Sequence, residues 1–143
     1  MKKIGIGSLI LLIGVASIFS SCKKYQYGPA FSLHSKTSRI VNDWSADQLI
    51  DSSGTDVTST FTSYELMMTK TGGATLTIVV EVLGTPFTMS TVGTWALTAN
   101  GTEIIFDFDQ NIYDNTSTIL KLKVKELWLL DSHNNEYHLI PKV

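Results

Sequence analysis

The sequence predicts an all-β domain, an eight-stranded up-and-down antiparallel barrel preceded by an export signal and a flexible tether. Three observations predict it. Apolar and polar residues alternate with period two from Ile40 onward, turn residues punctuate that alternation at hairpin spacing, and no stretch beyond the N-terminal segment keeps a helical apolar stripe. Closure of the sheet is favoured because it removes edges that would otherwise template aggregation. A two-sheet β-sandwich is the alternative.

The first strand opens at Asn42, with Asn42, Trp44, Ala46, Gln48 and Ile50 predicted inward and Asp43, Ser45, Asp47 and Asp51 outward. The run DSSGTDVTST, Asp51 to Thr60, breaks the alternation with small hydrogen-bonding residues and reads as a long loop or one short helical turn. Tyr64, Leu66 and Met68 face inward from the second strand. After Thr71-Gly72-Gly73 the third follows with Ala74, Leu76, Ile78, Val80 and Val82, ended by Gly84-Thr85-Pro86.

The fourth strand is the longest alternation, with Phe87, Met89, Thr91, Gly93, Trp95, Leu97 and Ala99 on one side. Asn100-Gly101 then predicts a two-residue type I′ hairpin turn into a fifth strand whose Ile104, Phe106 and Phe108 point inward. The sixth strand alternates Leu120, Leu122 and Val124 with Lys121, Lys123 and Lys125. Leu127 to Leu130 form the seventh, Ser132-His133-Asn134-Asn135 the last turn, and Tyr137 to Ile140 the eighth.

Ahead of the barrel, residues 1 to 21 have the three zones of a signal peptide: Lys2 and Lys3, a charge-free run from Ile4 to Phe19, then Ser20 and Ser21. That run is 16 residues long, short of the roughly 18 to 20 that cross a bilayer, and is read as removed. Phe19-Ser20-Ser21-Cys22 resembles the lipobox of bacterial lipoproteins, which implies that Cys22 is acylated and becomes the first residue of the mature chain. Lys23 in the next position resembles the pattern of lipoproteins forwarded to the outer membrane of Gram-negative bacteria. Residues 22–38, polar and broken by Gly28-Pro29, read as the lipidated cysteine and its tether, with Tyr25, Tyr27 and Phe31 as linker aromatics. The barrel domain is residues 39–143.

Removal of residues 1–21 leaves nine basic residues against 13 acidic ones, a net charge of −4. Such a balance lacks the basic face that displaces counterions from nucleic acid. Cys22 is the only cysteine, so neither a disulfide nor a thiolate zinc site is available to the barrel. His133-Asn134-Asn135-Glu136-Tyr137-His138 holds metal-ligand residue types, but histidines five apart across a hairpin turn do not converge as a helical pair would, and no metal is expected. No Gly-x-Ser-x-Gly elbow occurs, and Asp107 and Asp109 share the outer face of one strand. No catalytic residue and no cofactor is assigned.

Trp44 at the start of the first strand, Tyr64-Glu65-Leu66, Gly93-Thr94-Trp95-Ala96-Leu97 before a turn, and Lys125-Glu126-Leu127-Trp128-Leu129 together resemble the lipocalin-like lipoproteins of Gram-negative bacteria. The resemblance spans residues 39 to 142 and implies a calycin-type barrel on a lipid tether, without catalysis. Met89, Gly93, Trp95 and Phe106 are the candidate lining of a pocket for a small apolar ligand, with the missing side chain at Gly93 leaving room. The same residues suit a filled barrel, which is the preferred reading of their pattern. The function expected is that of a non-enzymatic envelope lipoprotein at the outer membrane, on its periplasmic face or at the cell surface, which binds a small apolar molecule where the barrel is hollow. Its rival is an interaction module, an inhibitor or accessory subunit of an envelope complex, working through loops at one barrel end.

Overall fold

The computed structural model describes residues 25–27 and 33–143. Eight strands follow one another: β1 (Asn42–Ile50), β2 (Ser63–Met68), β3 (Gly73–Val82), β4 (Thr85–Leu97), β5 (Glu103–Phe108), β6 (Asn115–Lys123), β7 (Glu126–Leu130) and β8 (Glu136–Pro141). Each pairs antiparallel with the next, and β1 pairs with β8, so the sheet closes as an up-and-down barrel. A five-residue helix, α1 (Lys36–Ile40), precedes it, and short 3-10 turns lie at Thr58–Thr60 and Asn111–Tyr113.

Antiparallel order gives the barrel two unlike ends. One end gathers α1, the β2–β3, β4–β5 and β6–β7 turns and the C-terminus; it is closed. Ile40 is fully buried beneath Trp44, whose indole Nε1 donates to the Ile40 carbonyl at 2.8 Å. The Arg39 guanidinium is buried beside them and donates to the Leu122 carbonyl at 2.6 Å. Ser35 caps the helix by accepting from the Ser38 amide. The other end gathers the 51–62, 83–84, 109–114 and 131–135 connections and is open.

Two β-bulges depart from uniform alternation. Between Ala46 and Gln48 the β1–β8 register shifts, so that Leu49 is buried where the sequence pattern puts Gln48 and Ile50 inward. A second shift between Ile119 and Lys121 buries Ile119 and Leu120 in succession, which strict alternation forbids. β6 therefore starts earlier than its lysine alternation predicts and ends at Lys123, leaving Val124 and Lys125 as the turn.

The hairpin turns are distributed differently from their sequence signals. At Asn100-Gly101 only Gly101 has positive φ (64°), and its amide donates to the Thr98 carbonyl at 2.7 Å, so the predicted type I′ turn is instead a longer loop. Asn100 serves through its side chain, whose Oδ1 accepts from Thr98, Thr102 and the Thr102 amide. The β4–β5 register around it is as expected, with Trp95 opposite Phe106 and Leu97 opposite Ile104. Positive φ at both central residues occurs at Leu83 (52°) and Gly84 (78°), the tip of the β3–β4 hairpin. A fully exposed leucine there is in a conformation that costs a bulky side chain energy.

The tether expectation also needs correction at its described residues. Tyr25 is buried, with its hydroxyl donating to the Gly101 carbonyl at 2.9 Å, and the Tyr27 amide donates to the Leu120 carbonyl at 2.8 Å. Residues 36–38, placed in the tether by composition, belong to α1. The segment expected to be a signal peptide, residues 1–21, and Cys22 lie outside the described residues.

Candidate functional site

The open end leads into a cavity of about 310 Å³, near the lower bound of the roughly 300 to 1,000 Å³ that small-molecule sites occupy. Its apolar wall is built by Leu49 from β1, Tyr64 from β2, Leu76 and Ile78 from β3 and Tyr137 from β8. Val57 and Phe61 come from the long loop, and Ile112 and Tyr113 from the 109–114 connection. The Ala46/Gln48 bulge is what turns Leu49 into this wall. Phe61 meets Tyr64 edge to face at 6.3 Å, and Tyr64 and Tyr137 pack at 5.5 Å, so three aromatic rings line one side.

The run DSSGTDVTST, a long loop that includes one short helical turn at Thr58–Thr60, holds its own shape. Asp51 Oδ1 accepts from the Ser53 hydroxyl at 2.6 Å and from the Ser53 and Thr55 amides at 2.9 Å each. Asp56 accepts from the Thr58 amide and hydroxyl and from Gln48. These hydrogen bonds, that of the Ser53 hydroxyl first at Asp51 and that of the Thr58 hydroxyl first at Asp56, hold both carboxyls below their ordinary range. The loop is thereby fixed with Val57 and Phe61 turned to the cavity.

Polar groups converge where β7 meets β8. Asp131 is buried, and its carboxylate accepts from the His133 amide (2.8 Å), the Asn135 amide (2.9 Å), the Asn135 side chain (2.9 Å) and the Tyr137 hydroxyl (2.9 Å). Burial alone would raise its pKa; the hydrogen bonds from Asn135, Tyr137 and His133 outweigh it and hold the carboxyl below its ordinary value. Tyr137 is pushed well above the usual phenol range, by burial first and then by the adjacent Asp131 charge. Tyr64 is raised likewise, by burial and then by Tyr137 and Asp131. The cavity thus presents neutral phenols on its aromatic side and the carboxylates of Asp51, Asp114, Asp131 and Glu136 around them, a surface that accepts an apolar body and orients a polar tip.

None of the four residues proposed from sequence lines this cavity. Phe106 stacks on Phe108 at 5.8 Å and borders a void of about 20 Å³ beneath the cavity floor, where Tyr64, Leu76 and Tyr137 also take part. Met89 lies in the wall behind Ile78, with the Tyr113 hydroxyl 3.5 Å from its sulfur. Trp95 is near the closed end and donates from Nε1 to the Thr69 carbonyl at 3.0 Å. Gly93 leaves no room: a Cβ built there would stand 2.1 Å from the Asp107 carbonyl oxygen, so glycine is needed for the close approach of β4 and β5. Beside Met89, the Thr91 hydroxyl is buried without a hydrogen-bond partner among the described residues.

The two histidines of the last hairpin separate. His133 borders the cavity mouth, whereas His138 stacks on Trp128 at 3.9 Å and contacts Glu136. Lys121 lies 4.0 Å over the same Trp128 ring, and both Lys121 and Lys123 pair with Glu126. Among the described residues no cluster of three His, Cys, Asp or Glu side chains forms a metal cage. Sequence reasoning missed Leu49, Phe61, Tyr64 and Tyr137 as a set. Phe61 carried a legible signal, an aromatic residue inside an otherwise polar loop.

No protein-family model and no curated protein matches the chain. Among solved structures, the fold is similar to a lipocalin-like protein from Bacteroides uniformis, at 15% identity and a TM-score of 0.55, covering 73% of this chain and 99% of that one. A deswapped triple mutant of the bovine odorant binding protein is matched at 14% identity and a TM-score of 0.40, over 71% of this chain and 73% of that one. The closed eight-stranded barrel and the first of these likenesses define a lipocalin-like fold.

Proposed function

We propose that this protein is a membrane-anchored envelope lipoprotein whose lipocalin-like barrel binds a small, mainly apolar molecule at its open end. The observation that carries the binding reading is the 310 Å³ cavity, walled by Leu49, Phe61, Tyr64, Ile78 and Tyr137 and edged by the hydrogen-bonded Asp131. A guest burying about 200 Å² of apolar surface gains roughly 5 kcal/mol before association entropy is subtracted, so micromolar or weaker affinity is expected. Anchoring rests on the sequence of residues 1–22, and the outer membrane on Lys23 after Cys22.

Native mass spectrometry of the purified chain should reveal a co-purifying lipid-like mass, and displacement of an environment-sensitive naphthalene dye should rank fatty acids and related compounds. Phe61→Ala should weaken binding about tenfold, because one aromatic wall is removed. Absence of any apolar ligand below millimolar would defeat the reading. A rival, the interaction module, draws on the exposed Leu83, Phe87 and Ile112 around the mouth. It would be favoured if dye binding were lost in Leu83→Ser and unchanged in Phe61→Ala. Membrane retention is tested separately: Cys22→Ala should abolish the acyl mass on the mature chain.

A further inference from the structure

The charges of the connecting segments are sorted by end. The open-end connections, residues 51–62, 83–84, 109–114 and 131–135, contain Asp51, Asp56, Asp109, Asp114 and Asp131 and no lysine or arginine. The closed-end segments are α1, residues 69–72, 98–102 and 124–125, and the C-terminal 142–143. They contain Lys36, Arg39, Lys70, Lys125 and Lys142 and no acidic residue; Asp43, Glu103 and Glu126 lie at the strand starts of this end, where Glu126 is taken up by Lys121 and Lys123, so the cations remain in excess. Some of these cations have structural duties: Arg39 is buried on Leu122, Lys36 reaches the Asn100 carbonyl, and Lys142 pairs with Glu65. Lys70 and Lys125 enter no ion pair among the described residues, and Val124 beside Lys125 is half exposed.

The N-terminal chain arrives at this same end. Tyr25 is docked on Gly101 in the β4–β5 connection. Cys22 is three residues earlier, a reach of at most about 11 Å, and Lys23 and Lys24 fill the gap. Exposed apolar side chains occur at both ends, so apolarity does not choose between them; charge and chain path do.

We propose that the closed end of the barrel is a membrane-facing surface that seats on anionic lipid, holding the cavity mouth away from the bilayer. This rests on the anchor reading of Cys22. The far end then stands well clear of the headgroups: β3 is 10 residues, about 33 Å of strand at 3.3 Å per residue, or about 25 Å along the axis of a barrel tilted roughly 40°. Near an anionic surface each lysine contributes a factor of about five to the seated population, and the acidic open end is repelled from it. The ligand would enter from the aqueous side of the barrel.

The test uses the full chain, isolated in its mature form and reconstituted into vesicles with or without 30% anionic lipid. Single cysteines replace Val124 (Val124→Cys) at the closed end or Leu83 (Leu83→Cys) at the open end, each carrying a fluorophore read against a headgroup quencher. In anionic vesicles the Val124→Cys label should be quenched and the Leu83→Cys label should not. Lys70→Gln with Lys125→Gln, or high salt, should reduce that contrast severalfold. Equal quenching at both positions, or stronger quenching at Leu83→Cys, would overturn the orientation while leaving the anchor intact. A mature chain without acyl mass, whose Cys22 takes up fluorophore, would overturn the anchor and the seating together.

Discussion

The two ends of this barrel are made from the same eight strands and carry opposite solutions to the problem of filling a closed sheet. The largest fully buried side chains, Ile40, Trp44, Met68, Ile104, Leu122, Leu127 and Leu139, all lie toward the closed end. Each stabilises the fold by roughly 1.5 to 3 kcal/mol through burial. Toward the open end the inward positions are only partly covered: Tyr64, Val80, Met89 and Tyr137 are half-buried, and Val82 and Phe87 are exposed although they belong to the inward series. The cause is strand length. β2 stops pairing with β3 at Ser63 opposite Val79, so the β3–β4 hairpin runs on past the rim without neighbours to cover it. Stability is thus concentrated where the barrel is closed, which leaves the open end free to be hollow.

Substitutions can break that comparison. The largest loss is expected for Trp44→Ala, about 3 to 5 kcal/mol, because a fully buried indole and its hydrogen bond to Ile40 vanish together. Chemical denaturation should show it as a lower midpoint with little change in slope. Phe61→Ala, at the hollow end, should shift the midpoint far less while weakening ligand binding. A loss at Phe61→Ala equal to that at Trp44→Ala would mean that the open end is as much core as the closed one.

Gly93→Ala is next, at about 2 to 3 kcal/mol. The added methyl meets backbone, the Asp107 carbonyl, which cannot rotate aside. A variant as stable as the parent would show that β4 and β5 separate easily at this point.

Asp131→Asn should cost about 1 to 3 kcal/mol near neutral pH, since several donors lose a charged acceptor. The sign with pH follows from the depressed carboxyl pKa. The ionised group stabilises the fold above its ordinary value of 3.8, and that contribution drains away as the pH falls through the lower folded value. The parent and Asp131→Asn should therefore converge in stability on acidification. A gap that persists at pH 2 would sink this account.

The smallest effect expected is a gain. Thr91→Val replaces an unpartnered buried hydroxyl with a methyl of similar size and should stabilise by about 1 kcal/mol. Thermal unfolding followed by circular dichroism would resolve it.

Where sequence reading succeeded and failed has a physical pattern. The barrel was legible because period two is enforced wherever one face of a strand is buried, and Ala74, Leu76 and Ile78 obey it. The bulges were not, because an extra residue changes phase without altering composition; Gln48 and Leu49 exchange roles with no local sign. Asn100-Gly101 misled because an asparagine that suits positive φ also suits side-chain capping of a longer loop, while Leu83-Gly84 takes positive φ against the preference of leucine. Gly93 was read as space when it marks contact. The cavity was missed for a related reason: its walls come from loops and from strand ends on either side of the β1–β8 seam, distant in sequence and joined only by closure.

That seam has a consequence for how the molecule is made. β1 finds its second partner only in β8, with Trp44 opposite Pro141, so the first strand keeps an unpaired edge until residues 136–141 are present. Seven of the eight pairings are between neighbours in sequence and can form early, whereas the eighth must close a loop spanning nearly the whole domain. A chain emerging from its N-terminus would therefore hold an open, sticky ribbon that cannot become a barrel until β8 has been made. Removal of β8 is expected to leave that ribbon unsealed and prone to pairing with another copy.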